Sequence, residues 1–132
     1  MDVHERRTLL VTTPNPSPKL DYVTGFEGHI DVSASESSTE IVLRYVPDRH
    51  ILEASSFEKY LQVIEQTKWR SLEEIAVTLL DDIRNELVAR WVQVNVKSNP
   101  VDLPHLHGHS LTLEDYQPNW QNEDLLSHLP VV

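Results

Sequence analysis

Apolar residues recur in this chain with two different periods, and the order of those periods restricts the folds open to it. Phe26, Gly28, Ile30 and Val32 take alternate positions, as do Ile41, Leu43 and Tyr45, and both runs carry the spacing of a strand with one face on a core. The polar stretch Ser33 to Thr39 between them is a turn signal, so the pair reads as an antiparallel hairpin. The period then changes. Phe57, Tyr60, Leu61 and Ile64 share one side of a helix that Ser55 or Ser56 can cap and that runs to about Gln66. Ser71 and Glu74 form a capping box ahead of a stripe at Leu72, Ile75, Leu79, Ile83 and Leu87, which predicts a second helix. Glu73, Asp81, Asp82 and Glu86 fall mostly off that stripe and read as solvated. Alternation returns at Val92, Val94 and Val96, with Trp91, Gln93 and Asn95 on the other face, and again over a shorter run around Ser110 to Leu113. The order is β-β-α-α-β-β.

This order predicts an α+β domain, an antiparallel sheet with two helices on one face, over residues 22–115. Before it, residues 1–21 hold a short apolar run and then Pro14, Pro16 and Pro18, which reads as an arm and proline-rich linker outside any ladder. After it, residues 116–132 read as an irregular tail with a short helix near Glu123 to His128. No internal repeat is visible. With 132 residues the chain fits one domain.

Charge narrows the partners. Asp and Glu number 21 against 11 Lys and Arg, a formal net charge of −10, and the basic residues are scattered. A field of that sign repels a phosphate backbone, so direct nucleic-acid binding is not expected. No stretch has the apolar length to cross a bilayer, and the charged run Met1 to Arg7 is followed by no apolar core and small-residue cleavage site of an export signal, so the expected compartment is the cytoplasm. A small molecule or another copy of the chain is the expected partner. The chain also contains no cysteine, so no protein thiol can serve its chemistry.

The run from Tyr45-Val46-Pro47-Asp48 through Glu53 and Ser55-Ser56 to Tyr60, set in this element order, resembles the tunnelling-fold family. Within it the resemblance is to the 7-cyano-7-deazaguanine reductases of queuosine biosynthesis, with GTP cyclohydrolase I more distant. In the reductases a strand ends in a proline-aspartate turn, followed by a glutamate at the spacing of Glu53, a serine-rich helix start and a tyrosine at the spacing of Tyr60. Asp82 and Arg90-Trp91-Val92 stand about where the family has an aspartate in its second helix and an aromatic at the next strand. The resemblance covers roughly residues 22–98. It implies a homo-oligomer whose sheets join into a barrel with helices outside, and a purine- or pterin-like ring bound at a subunit interface. The ring's guanidine-like edge would be gripped by Glu53, since a carboxylate accepts two parallel hydrogen bonds from adjacent N–H groups. His50, Ser55 and Ser56 would lie near it, with His50 and Glu53 able to share acid/base work if they face one pocket.

Two departures limit what carries over. The reductases attack a nitrile with a cysteine thiolate and then take hydride from NADPH. Here the expected Ser-Leu-Cys-Pro segment is replaced by proline-rich sequence and Leu20 to Thr24, and the expected histidine-glutamate pair by Trp69-Arg70-Ser71-Leu72-Glu73. A serine would need a base within reach, and no Ser/His pairing is identifiable. Thioimide chemistry and NADPH use are therefore not expected, and the cofactor is otherwise open.

His105, His107 and His109 occupy alternate positions. In an extended segment they would project to one side, the arrangement of three protein ligands around a zinc with an open site. The fragment from Leu106 to Ser110 also looks like the zinc-binding strand of 6-pyruvoyl-tetrahydropterin synthase, but it falls after both helices instead of before them. The competing reading is a histidine-rich surface loop. Three functions thus stand side by side: a heterocycle-binding oligomer, a catalytically silent structural or regulatory subunit, and a metal-dependent enzyme.

Overall fold

A computed structural model describes residues 1–32 and 38–132. Four strands form one antiparallel sheet: β2 (Thr24–Ile30), β3 (Thr39–Val46), β5 (Trp91–Ser98) and β6 (His109–Tyr116), in the order β2-β3-β5-β6. Two helices separate β3 from β5: α2 (Ala54–Gln66) and α3 (Leu72–Leu87). The β-β-α-α-β-β order is therefore present. Most of the expected hairpin turn lies outside the described residues.

Register explains why the alternation was readable. Phe26 pairs with Leu43 and Leu43 with Val94, while Ile41 pairs with Val96 and Tyr45 with Val92. Cross-strand partners point to the same face, so these residues line one side of the sheet. That side and the stripes of α2 and α3 share one buried cluster, with Tyr60, Ile64, Leu79 and Ile83 at its centre. The opposite face carries Arg44, Gln93 and Glu114 in one cross-strand row and Val42, Asn95 and Thr112 in the next. One residue of the core face is anomalous. Thr39 is fully buried, yet its hydroxyl has no hydrogen-bond partner among the described residues. An unpaired buried hydroxyl costs stability, and an apolar isostere removes that cost. Thr39→Val is therefore expected to raise the unfolding free energy by about 1 kcal/mol, read from urea midpoints; a clear loss would mean that the hydroxyl is satisfied in solution.

The N-terminal segment departs from expectation. Instead of a free arm, it forms α1 (Val3–Thr8) and β1 (Thr12–Pro14), and β1 pairs antiparallel with β4 (His50–Leu52). Asp2 and Glu5 close a full capping box at the start of α1, and Leu10 is buried in the core. Pro14 joins the ladder because it is the last residue of a two-stranded edge, where a missing donor is tolerated. The tail is also tied down. Its helix α4 (Glu123–Ser127) matches the expected position, and the segment before it is anchored through Asp21, which accepts from Trp120 Nε1 (3.1 Å) and Asn122 Nδ2 (3.1 Å).

The helix starts differ from expectation in detail. α2 begins after Glu53, and neither Ser55 nor Ser56 caps it. At α3 the Ser71 hydroxyl accepts from the Glu74 N–H (3.1 Å), as expected, but the Glu74 carboxylate accepts from Arg70 N (3.1 Å), so the box is not reciprocal. Among the described residues no helix is long and apolar enough to cross a membrane.

Candidate functional site

Glu53 occupies the junction between β4 and α2, and its backbone is fixed from several sides. Its N–H donates to Val11 O (2.9 Å), and its carbonyl accepts from Ser56 Oγ (2.8 Å) and Phe57 N (3.2 Å). One residue earlier, Leu52 N donates to the Tyr45 hydroxyl (2.9 Å), which joins the junction to the core of β3. Ser56 is buried and its Oγ also accepts from Val11 N (3.1 Å). The segment between α1 and β1 thus helps to hold the candidate anchor. The Glu53 side chain itself is exposed, and Oε1 accepts from Ser55 Oγ (2.5 Å). A carboxylate with a fixed backbone, one neighbouring hydroxyl and an open outer edge can accept a pair of parallel N–H donors.

His50 does not join it. His50 is exposed and lines a separate hollow of about 320 Å³ with Asp48, Arg49, Leu87 and Val88. The two residues are three apart across the end of a strand, which turns their side chains to different sides. Asp48 takes another role. Arg90 joins it (3.3 Å) to Asp21 (3.1 Å), and Gln117 Nε2 donates to its second oxygen (3.0 Å). In the proline-rich stretch, Asn15 is buried: its amide donates to Asp48 O (2.8 Å), and its oxygen accepts from Tyr22 Oη (2.7 Å) and Ser17 N (3.0 Å).

The histidines are not brought together. His105 lies in a turn closed by Leu106 N donating to Leu103 O (3.0 Å), so the segment is not extended there. His109 begins β6 and its Nε2 lies 3.3 Å from Glu73 Oε1 on α3. Among the described residues no three His, Cys, Asp or Glu side chains stand grouped to hold a metal ion.

Asp82 is the residue that the pattern reading misplaced. It is 0% exposed, and its carboxylate accepts from Arg6 Nε (2.5 Å) and Nη2 (3.2 Å), Arg7 Nε (2.9 Å) and Tyr60 Oη (2.6 Å). Burial raises its pKa, but the hydrogen bonds from Arg6, Tyr60 and Arg7 outweigh burial and hold the carboxyl below its ordinary value. The Tyr60 phenol is driven well above its ordinary value, first by burial and then by donating to Asp82. The signal was present in the spacing: Asp82 follows Leu79 by three, so it borders the stripe. What the spacing could not supply was the pair of arginines, which arrive from α1.

No protein-family model matches the sequence. Among curated proteins, the NADPH-dependent 7-cyano-7-deazaguanine reductase of Nitratidesulfovibrio vulgaris is 26% identical over 115 residues, covering 83% of this chain and 69% of that protein. The enzyme of the same name from Acidithiobacillus ferrooxidans is 24% identical over 134 residues, covering 89% of this chain and 84% of that protein. The chain is a distant relative of these reductases. The alignments reach past residues 22–98, on which the resemblance was read, and cover most of the chain.

Proposed function

We propose that this chain is a homo-oligomeric tunnelling-fold protein that binds a purine- or pterin-like ring at its subunit interfaces through Glu53, without the thiol chemistry of its relatives. The observation that carries the reading is the state of Glu53: backbone held by Val11, side chain exposed, carboxylate met only by Ser55 among the described residues. A stability role would use that carboxylate at the start of α2, yet it caps no N–H there. The sheet supports association as well. Both outer strands, β2 and β6, leave an unpaired edge among the described residues, and such edges invite pairing with another strand. Joining β2 of one copy to β6 of the next would continue the sheet towards a closed barrel.

The name of these reductases adds a substrate class, a 7-deazaguanine, whose guanine edge offers adjacent N–H donors. It does not add a mechanism. The chain lacks cysteine, so no thioimide can form on it. Incubation with 7-cyano-7-deazaguanine and NADPH is expected to leave the NADPH absorbance unchanged; turnover would overturn this part of the reading. Thermal unfolding in the presence of guanine, pterins and 7-deazaguanines should show a rise in Tm for at least one of them. A ligand at one hundred times its Kd stabilises by about 2.7 kcal/mol. Light scattering should give a mass several times that of one chain. A monomer without any ligand shift would contradict the proposal.

A further inference from the structure

We propose a second binding site, for a small organic cation with an alkylated ammonium head, in the cavity between the open sheet face and the C-terminal segment. The cavity has a volume of about 530 Å³, and Glu53 is not among its lining residues. Its walls include Trp91, Tyr116, Trp120 and Leu126, and Glu114 and Glu123 also line it. No lysine, arginine or histidine lines it, and neither glutamate has a cationic partner among the described residues. Glu114 accepts from Trp91 Nε1 (3.1 Å), and Glu123 from Gln121 Nε2 (3.5 Å).

The aromatic walls are held in place before any ligand arrives. Trp91 is 2% exposed and backs the cavity, its indole N–H committed to Glu114, which leaves the Trp120 and Tyr116 rings to meet a ligand. The Trp120 N–H is committed to Asp21, which Arg90 holds in turn at 3.1 Å. An indole fixed by its N–H presents a defined ring, so little ordering cost remains for a ligand that contacts it. Ring faces attract cations through their quadrupole, most strongly for tryptophan and for alkylated ammonium ions, whose desolvation costs little. Two carboxylates beside those rings add Coulomb attraction, and the chain's formal charge of −10 gives the approach the same sign. A neutral ligand of equal size would gain only the apolar contact, and an anion would be repelled. The volume falls in the range of ordinary small-molecule sites, which exceeds what a bare metal ion needs. The site does not depend on the heterocycle reading.

Trp91 and Trp120 report on the cavity directly. Titration of the full chain with choline is expected to change tryptophan fluorescence saturably, whereas the neutral choline isostere, with carbon in place of nitrogen, should leave it unchanged. Glu114→Gln and Trp120→Ala should each weaken choline binding by about tenfold, with Trp120→Phe recovering part of the loss. Glu123→Gln, at an exposed residue, serves if the others disturb folding by circular dichroism. Equal responses to choline and its isostere would overturn the proposal, as would no response to choline or unchanged affinity in the folded variants.

Discussion

Asp82→Asn is expected to destabilise the protein by about 3–5 kcal/mol, the cost of breaking a buried charge network by removing one partner. The substitution would leave Tyr60 and two guanidinium groups facing an amide that can satisfy only part of their donors. Magnitude separates this network from the other ion pairs. Arg84 also pairs with Asp81 and Asp115, but those side chains are about half exposed, and removing either should change stability by under about 1 kcal/mol. Arg6→Ala and Arg7→Ala should fall between these cases, because each guanidinium keeps some access to water.

The same carboxylate sets an acid limit. Its folded value lies below the ordinary 3.8, so the unfolded chain takes up the proton first as pH falls. Its contribution is therefore complete above that ordinary value and is lost as pH drops through the lower, folded one. Urea midpoints of the wild type should decline below about pH 4. Part of that slope should vanish in Asp82→Asn, which is already weakened at neutral pH. An unchanged acid slope would show that other carboxylates govern the loss.

Gly25→Ala is the second large effect, and it acts through space alone. A Cβ at Gly25 would stand 1.8 Å from Leu43 O and 2.9 Å from Arg44 Cα, both backbone atoms of the neighbouring strand. No rotamer change relieves a clash with backbone, so β2 would have to part from β3 at that point. A loss of at least about 3 kcal/mol is expected, at the upper end for overpacking. Gly28→Ala is the control: its Cβ would meet only the Leu61 side chain, at 3.4 Å, which can shift. Similar losses at both positions would mean that the close approach of β2 to β3 is not present in solution.

What could be read from the chain follows from how far apart the interacting residues lie. The strands were legible because their faces are written at a period of two, which puts Leu43 and Val94 on core faces, whereas their pairing with each other is not written in the alternation. The stripe of α3 was legible for the same reason. Contacts between distant segments were not. Asp82 reads as a solvated acid until Arg6 and Arg7 are placed over it, seventy-five or more positions away in sequence. Pro14 argued against pairing, and only its place at the very end of β1 permits it. His105, His107 and His109 share a parity but not a strand, so parity alone could not align them. At the candidate site the position of Glu53 was readable, whereas its separation from His50 depended on where β4 ends.

Calorimetric titration of a guanine-edged ligand such as 7-cyano-7-deazaguanine into the wild type and into Glu53→Gln bears most directly on the ring-anchoring role. Saturable binding by the wild type, weakened at least about tenfold in a variant that stays folded and equally associated, is the expected result. Binding of equal strength in both proteins, or no heat with any purine- or pterin-like ring, would contradict it.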